Sequence, residues 1–89
     1  MVQAHIFYSG MVQGVGFRYT VQRMAKELSL LGWVRNLKDG RVELLVQGQK
    51  DTIEQLMERI KNHFLGYIKD KEIRFASLEE KFRDFEIIL

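Results

Sequence analysis

The apolar residues of this 89-residue chain change period twice in the same sense, from alternation to helical spacing, first between residues 2 and 28 and again between residues 42 and 64. Val2, Ala4, Ile6 and Tyr8 alternate with Gln3, His5, Phe7 and Ser9, as in a strand with one buried face. From Phe17 the spacing becomes helical, with Phe17, Val21, Met24, Ala25 and Leu28 on one face. Ser29 to Gly32 ends that helix, and Trp33 to Asn36 reads as a short strand. Asp39-Gly40 is a hairpin turn signal, after which Val42, Leu44 and Val46 alternate with Glu43, Leu45 and Gln47. Gly48 closes this third strand. Asp51 or Thr52 is the expected cap of a second helix, whose apolar stripe is Ile53, Leu56, Met57, Ile60 and Phe64. Gly66 breaks it, Ile73 and Phe75 mark a fourth strand, and Phe85, Ile87 and Leu89 alternate in a last one.

The order β-α-β-β-α-β with a short terminal strand is the α+β, ferredoxin-like split βαβ plan, a sandwich of two helices on one face of a mainly antiparallel sheet. A right-handed crossover makes strands one and two parallel, with the hairpin partner between them. Their carboxyl ends and the start of helix one then share one edge. Asn36, ending strand two, should face the loop before helix one across two strand spacings, about 10 Å.

That loop is Gly10-Met11-Val12-Gln13-Gly14-Val15-Gly16-Phe17-Arg18. Glycine allows positive φ and close approach of the backbone to a ligand. The N–H groups of such a turn, with the orphan N–H groups of a helix start, form an anion site. Arg18 falls in the first helical turn, where the helix dipole disfavours a cation by roughly 0.3–1 kcal/mol. A bound phosphate or similar oxyanion would reverse that sign. The glycines alone fit two readings, an anion cradle or a turn that needs only their geometry. Tyr19 stands where a dinucleotide fingerprint has its third glycine, and no Gly-Lys-Ser/Thr follows as a P-loop requires.

Size and composition bound the rest. At 46% apolar content the chain is expected to form one domain, residues 1–89, with one core and one site on its rim. Absence of cysteine excludes disulfides, thiolate catalysis and zinc–thiolate sites. No apolar run approaches the ~20 residues of a membrane span, and the N-terminus lacks signal-peptide character. A cytoplasmic monomer with no membrane partner is expected. A net charge of +2 is modest for a nucleic-acid binder, and the Lys/Arg-Gly-Phe/Tyr strand motif of RNA recognition is missing. No nucleic-acid partner is expected. Arg35, Lys38 and Arg41 are candidate steering charges. His5 and His63 have no second ligand at metal spacing, Asp39 is explained by its turn, and Trp33 is expected in or beside the core.

Gly10-x-Val12-Gln13-Gly14-Val15-Gly16-Phe17-Arg18, Gly32-Trp33-Val34-Arg35-Asn36 and Asp39-Gly40-x-Val42-Glu43 closely resemble the acylphosphatase signature. Ala25-x-x-Leu28, Gly48 and Phe85-x-Ile87 extend the resemblance over nearly the whole chain. It implies a small enzyme that hydrolyses the carboxyl–phosphate bond of acyl phosphates without metal or organic cofactor. Its substrate would be a small-molecule acyl phosphate, with inorganic phosphate as product and inhibitor. By the same resemblance Arg18 binds the phosphoryl group and Asn36 positions the attacking water. The backbone of Gln13, Gly14, Val15, Gly16, Phe17 and Arg18 would form the cradle. Two departures stand out. Ser29 occupies a position where glycine is common after helix one, which should affect the helix end more than the site. His63-Phe64-Leu65-Gly66-Tyr67 replaces a Gly-Pro element after helix two, in a region expected to lie away from the crevice.

Overall fold

Alternation in the first residues becomes strand β1 (Val2–Gly10), and the helical period becomes α1 (Phe17–Glu27), in a computed structural model that describes residues 1–89. Then follow β2 (Leu31–Asn36), β3 (Val42–Gly48), α2 (Lys50–His63), β4 (Ile68–Ala76) and β5 (Phe85–Ile87). The five strands form one sheet in the order β4-β1-β3-β2-β5. β3 is antiparallel to both β1 and β2, so these two run parallel, as the crossover rule requires. β4 adds antiparallel to β1, and β5 adds parallel to β2. The fold is the split βαβ plan with its terminal strand.

One cluster of 18 buried apolar side chains joins sheet and helices. β1 contributes Ala4, Ile6 and Tyr8, and β3 contributes Val42, Leu44 and Val46. Phe17, Val21, Met24 and Ala25 come from α1, and Ile53, Leu56 and Ile60 from α2. α2 begins at Lys50, not at Asp51 or Thr52, because a single residue, Gln49, follows β3 and acts as a cap without a side-chain bond. A missing cap costs about 1 kcal/mol. Full burial of Ile53, Leu56 and Ile60 is worth roughly 1.5–3 kcal/mol each, so packing decides where this helix sits.

The opposite sheet face carries Trp33, which lies there beside Leu45 with the Arg35 guanidinium 5.2 Å from its ring. It is therefore not a core residue; Val34 fills that role. Gln47, fully buried, ties residues 77–84 over this face. Its amide donates to Gln3 Oε1 at 3.1 Å and to the Glu80 carbonyl, and its oxygen accepts the Phe82 N–H at 2.9 Å.

Candidate active site

β1 delivers the chain to the sheet edge, and two buried side chains fix the loop that follows. Val12 is 1% exposed and Phe17 2%, and the Phe17 ring packs edge-on to Tyr8 at 5.3 Å and tilted against Phe64 at 4.6 Å. Between these anchors Gly14-Val15-Gly16 stands open to solvent. Gly14 and Gly16 both sit at φ 78° while Val15 keeps negative φ, an alternation that turns successive N–H groups inward. A Cβ at either glycine would meet nothing, so left-handed backbone, not crowding, selects glycine here. Gly16 caps α1, and the first helical bond runs from Thr20 N–H to the Gly16 carbonyl at 3.1 Å. None of the backbone N–H groups from Gln13 to Tyr19 donates a hydrogen bond within the chain.

Gly14, Gly16, Phe17, Arg18 and Tyr19, together with Val12 and Asn36, line a cavity of about 120 Å³. Arg18 and Asn36, eighteen positions apart in the chain, thus meet at one cavity. The first turn of α1 holds no acidic residue. Arg23, Arg35 and Arg41 pair with Glu27, Glu43 and Asp39, whereas Arg18 has no carboxylate partner. Asn36 Oδ1 is buried and receives no hydrogen bond from the protein. Such an acceptor is costly to leave unpaired, and a water or ligand donor at the cavity would satisfy it.

Gln13 has a role that its sequence position did not reveal. Its side-chain amide donates to the Leu37 carbonyl at 2.8 Å and the Arg41 carbonyl at 2.9 Å. The loop is thereby pinned to the β2–β3 turn, next to Asn36. That turn is closed by Gly40 N–H to the Leu37 carbonyl, and Asp39 accepts from Arg41 Nε at 2.8 Å. Hydrogen bonds from Arg41 hold the Asp39 carboxyl below its ordinary range, in keeping with its structural reading.

One expectation needs correction. Arg35 and Arg41 are not free steering charges, because each is committed to a local carboxylate; Lys38 alone of the three remains unpaired at the exposed turn. Residues 63–67 line no part of the cavity, but they do contact the start of its loop. Met11 N–H donates to the Tyr67 carbonyl at 2.8 Å, and a Cβ at Gly10 would collide with that same oxygen. The end of α2 therefore supports the base of the loop.

Across the sheet, Glu43 joins His5 Nε2 at 2.6 Å and Arg35 Nε at 2.7 Å. Burial raises the Glu43 carboxyl, but the His5 and Arg35 hydrogen bonds outweigh it and hold the group below its usual range. This cluster braces β1, β3 and β2 side by side behind the site.

Fold and cavity together define a small α+β domain with a cavity and unpaired backbone N–H groups at the head of its first helix. The acylphosphatase family profile matches residues 4–87, and the chain belongs to the acylphosphatase family. It is 38% identical over 88 residues to an acylphosphatase of Archaeoglobus fulgidus, covering 98% of both chains. An acylphosphatase of Nostoc sp. is 51% identical over 57 residues, a stretch that covers 64% of this chain and 56% of that one. The crystal structure of acylphosphatase from Bacillus subtilis superposes with a TM-score of 0.94 at 38% identity, over the full length of both. No helix is long and apolar enough to cross a membrane.

Proposed function

We propose that this chain hydrolyses acyl phosphates to a carboxylate and inorganic phosphate, with Arg18 and the Gln13–Arg18 backbone holding the phosphoryl group and Asn36 orienting the attacking water. The observation that carries this reading is the run of unpaired N–H groups from Gln13 to Tyr19 beside the cavity shared by Arg18 and Asn36.

The chemistry asks little more of a protein. The leaving carboxylate has a conjugate acid of pKa about 4, by analogy with Asp and Glu, so it departs without a general acid. Phosphoryl transfer passes through a loose transition state and depends on positioning and charge stabilisation. A guanidinium can bind two phosphoryl oxygens at once, and backbone donors fixed before the substrate arrives need no reorganisation during reaction. The Asn36 oxygen, buried and without a donor, can accept a hydrogen bond from the water and set its lone pair toward phosphorus. Neither a metal nor a covalent nucleophile has a step to perform in this scheme. Because only the phosphoryl end is gripped, a range of acyl groups should be accepted. The working unit is taken to be a monomer. The cytoplasm is taken as its compartment, since a cysteine-free chain gains no disulfide from an oxidising one.

Hydrolysis of benzoyl phosphate in the presence of a chelator tests the reading. Arg18→Ala should lower kcat/KM by about 10³-fold, the scale of losing a principal charge-stabilising group. Asn36→Ala should lower kcat by about 10²-fold, the scale of a misplaced nucleophile, with little change in KM. Inorganic phosphate should compete. Turnover unchanged in both variants would remove the proposed mechanism.

A further inference from the structure

Two buried side-chain polar atoms have no hydrogen-bond partner within the chain, Asn36 Oδ1 and Tyr8 Oη. Asn36 lines the cradle cavity, whereas Tyr8 lines a different one. Tyr8 is 2% exposed and lines a groove of about 370 Å³ between the end of α2 and the start of β4. That volume falls within the ~300–1,000 Å³ typical of small-molecule pockets. Met57 and Phe64 give the groove an apolar wall, while Lys61, Lys69 and Lys71 bring three ammonium groups against the single carboxylate of Asp70. None of these lysines is ion-paired, and Asp70 already accepts the Lys71 N–H at 2.8 Å. Lys71 is the direct partner of Tyr8 in the β1–β4 register, so the two side chains leave the same face of the sheet about 4.5–5.5 Å apart at Cβ.

The groove is separate from the cradle. The Phe17 ring lines the cradle cavity and stands against Tyr8 and Phe64, which line the groove. We propose that this groove binds a small organic anion, a carboxylate on an apolar body. Its carboxylate accepts hydrogen bonds from the Tyr8 hydroxyl and the Lys71 ammonium, and its apolar body lies on Met57 and Phe64. Burial pushes the Tyr8 phenol up, so it remains a donor at neutral pH. An anion with no apolar body would leave that wall uncovered.

The test is an amide NMR titration of the full chain with 3-phenylpropanoate, with 3-phenylpropan-1-ol as its neutral counterpart, and with inorganic phosphate. The carboxylate should give saturable shifts over residues 65–71, and the alcohol should bind at least about tenfold more weakly. Tyr8→Phe, which keeps the ring that packs on Phe17, should weaken carboxylate binding about tenfold. Lys71→Gln should weaken it roughly threefold to tenfold and reduce its dependence on salt. Phosphate should leave residues 65–71 unshifted, and benzoyl phosphate hydrolysis should be unchanged in Lys71→Gln, so failure here is distinct from failure of the proposed activity. Equal affinity for the alcohol, equal affinity in both variants, or no saturable shift in this segment would overturn the proposal.

Discussion

The two helices lie on the same sheet face and both lack a side-chain cap, yet their N-termini are built for different ends. α2 starts one residue after β3 and carries Asp51 in its first turn, where the negative charge complements the helix dipole. α1 starts after an open glycine loop, has no acidic residue in its first turn and places Arg18 there instead. By the same electrostatics one end is stabilised and the other is left wanting an anion. The cavity lies only at the second. A helix start that is locally unfavourable, with unpaired donors in front of it, is thus the more informative of the two about function.

Reversing the charge at α1 separates the two properties. Arg18→Glu should reduce benzoyl phosphate hydrolysis by more than about 10³-fold. The same change should raise stability by about 0.5–1 kcal/mol at low salt, because an acid now meets the dipole. Urea unfolding beside the activity assay reads both, and a loss of stability would show that Arg18 holds the fold rather than a ligand.

Gln13→Ala releases the loop from the β2–β3 turn. Two hydrogen bonds at 2.8 and 2.9 Å are lost, at a cost of about 1–2 kcal/mol in unfolding free energy. A loosened cradle should also lower kcat/KM about tenfold to a hundredfold. Asp51→Asn acts on the contrasting helix and should have the smallest effect. It should cost about 0.3–1 kcal/mol of stability and leave hydrolysis unchanged; an altered kcat would break the division of labour between the two helix starts.

Much of this arrangement could be read in the sequence because strands β1 and β3 and both helical stripes show clean periods. The start of α1 at Phe17 follows from the spacing of Phe17, Val21 and Met24. The meeting of Asn36 with the glycine loop follows from topology alone, since parallel β1 and β2 end at one edge. β4 was harder to delimit. It runs from Ile68 rather than beginning near Ile73, and as an edge strand it exposes Lys69 through Glu72 without a break. An edge strand shielded by charge carries little periodic signal.

Side chains that act across the chain left no local trace. Gln13 reaches carbonyls 24 and 28 positions away, and Gln47 reaches Phe82 at a distance of 35 positions. Glutamine in a loop or strand looks like ordinary surface polarity until its partners are known. Ser29, by contrast, was legible as a departure. It is the one non-glycine residue at positive φ, at 57°. Ser29 N–H to the Lys26 carbonyl and Leu30 N–H to the Ala25 carbonyl close the helix end in the glycine-type motif. The departure stays at the helix end, as the sequence suggested.

The most direct measurement is an amide NMR titration with inorganic phosphate, comparing the two helix starts in wild type and Arg18→Ala. Saturable shifts confined to residues 13–19 and Asn36, absent at residues 50–52 and weakened at least tenfold in the variant, are expected of an anion cradle. Similar small shifts at both helix starts, or shifts at residues 13–19 that persist unchanged in Arg18→Ala, would contradict it.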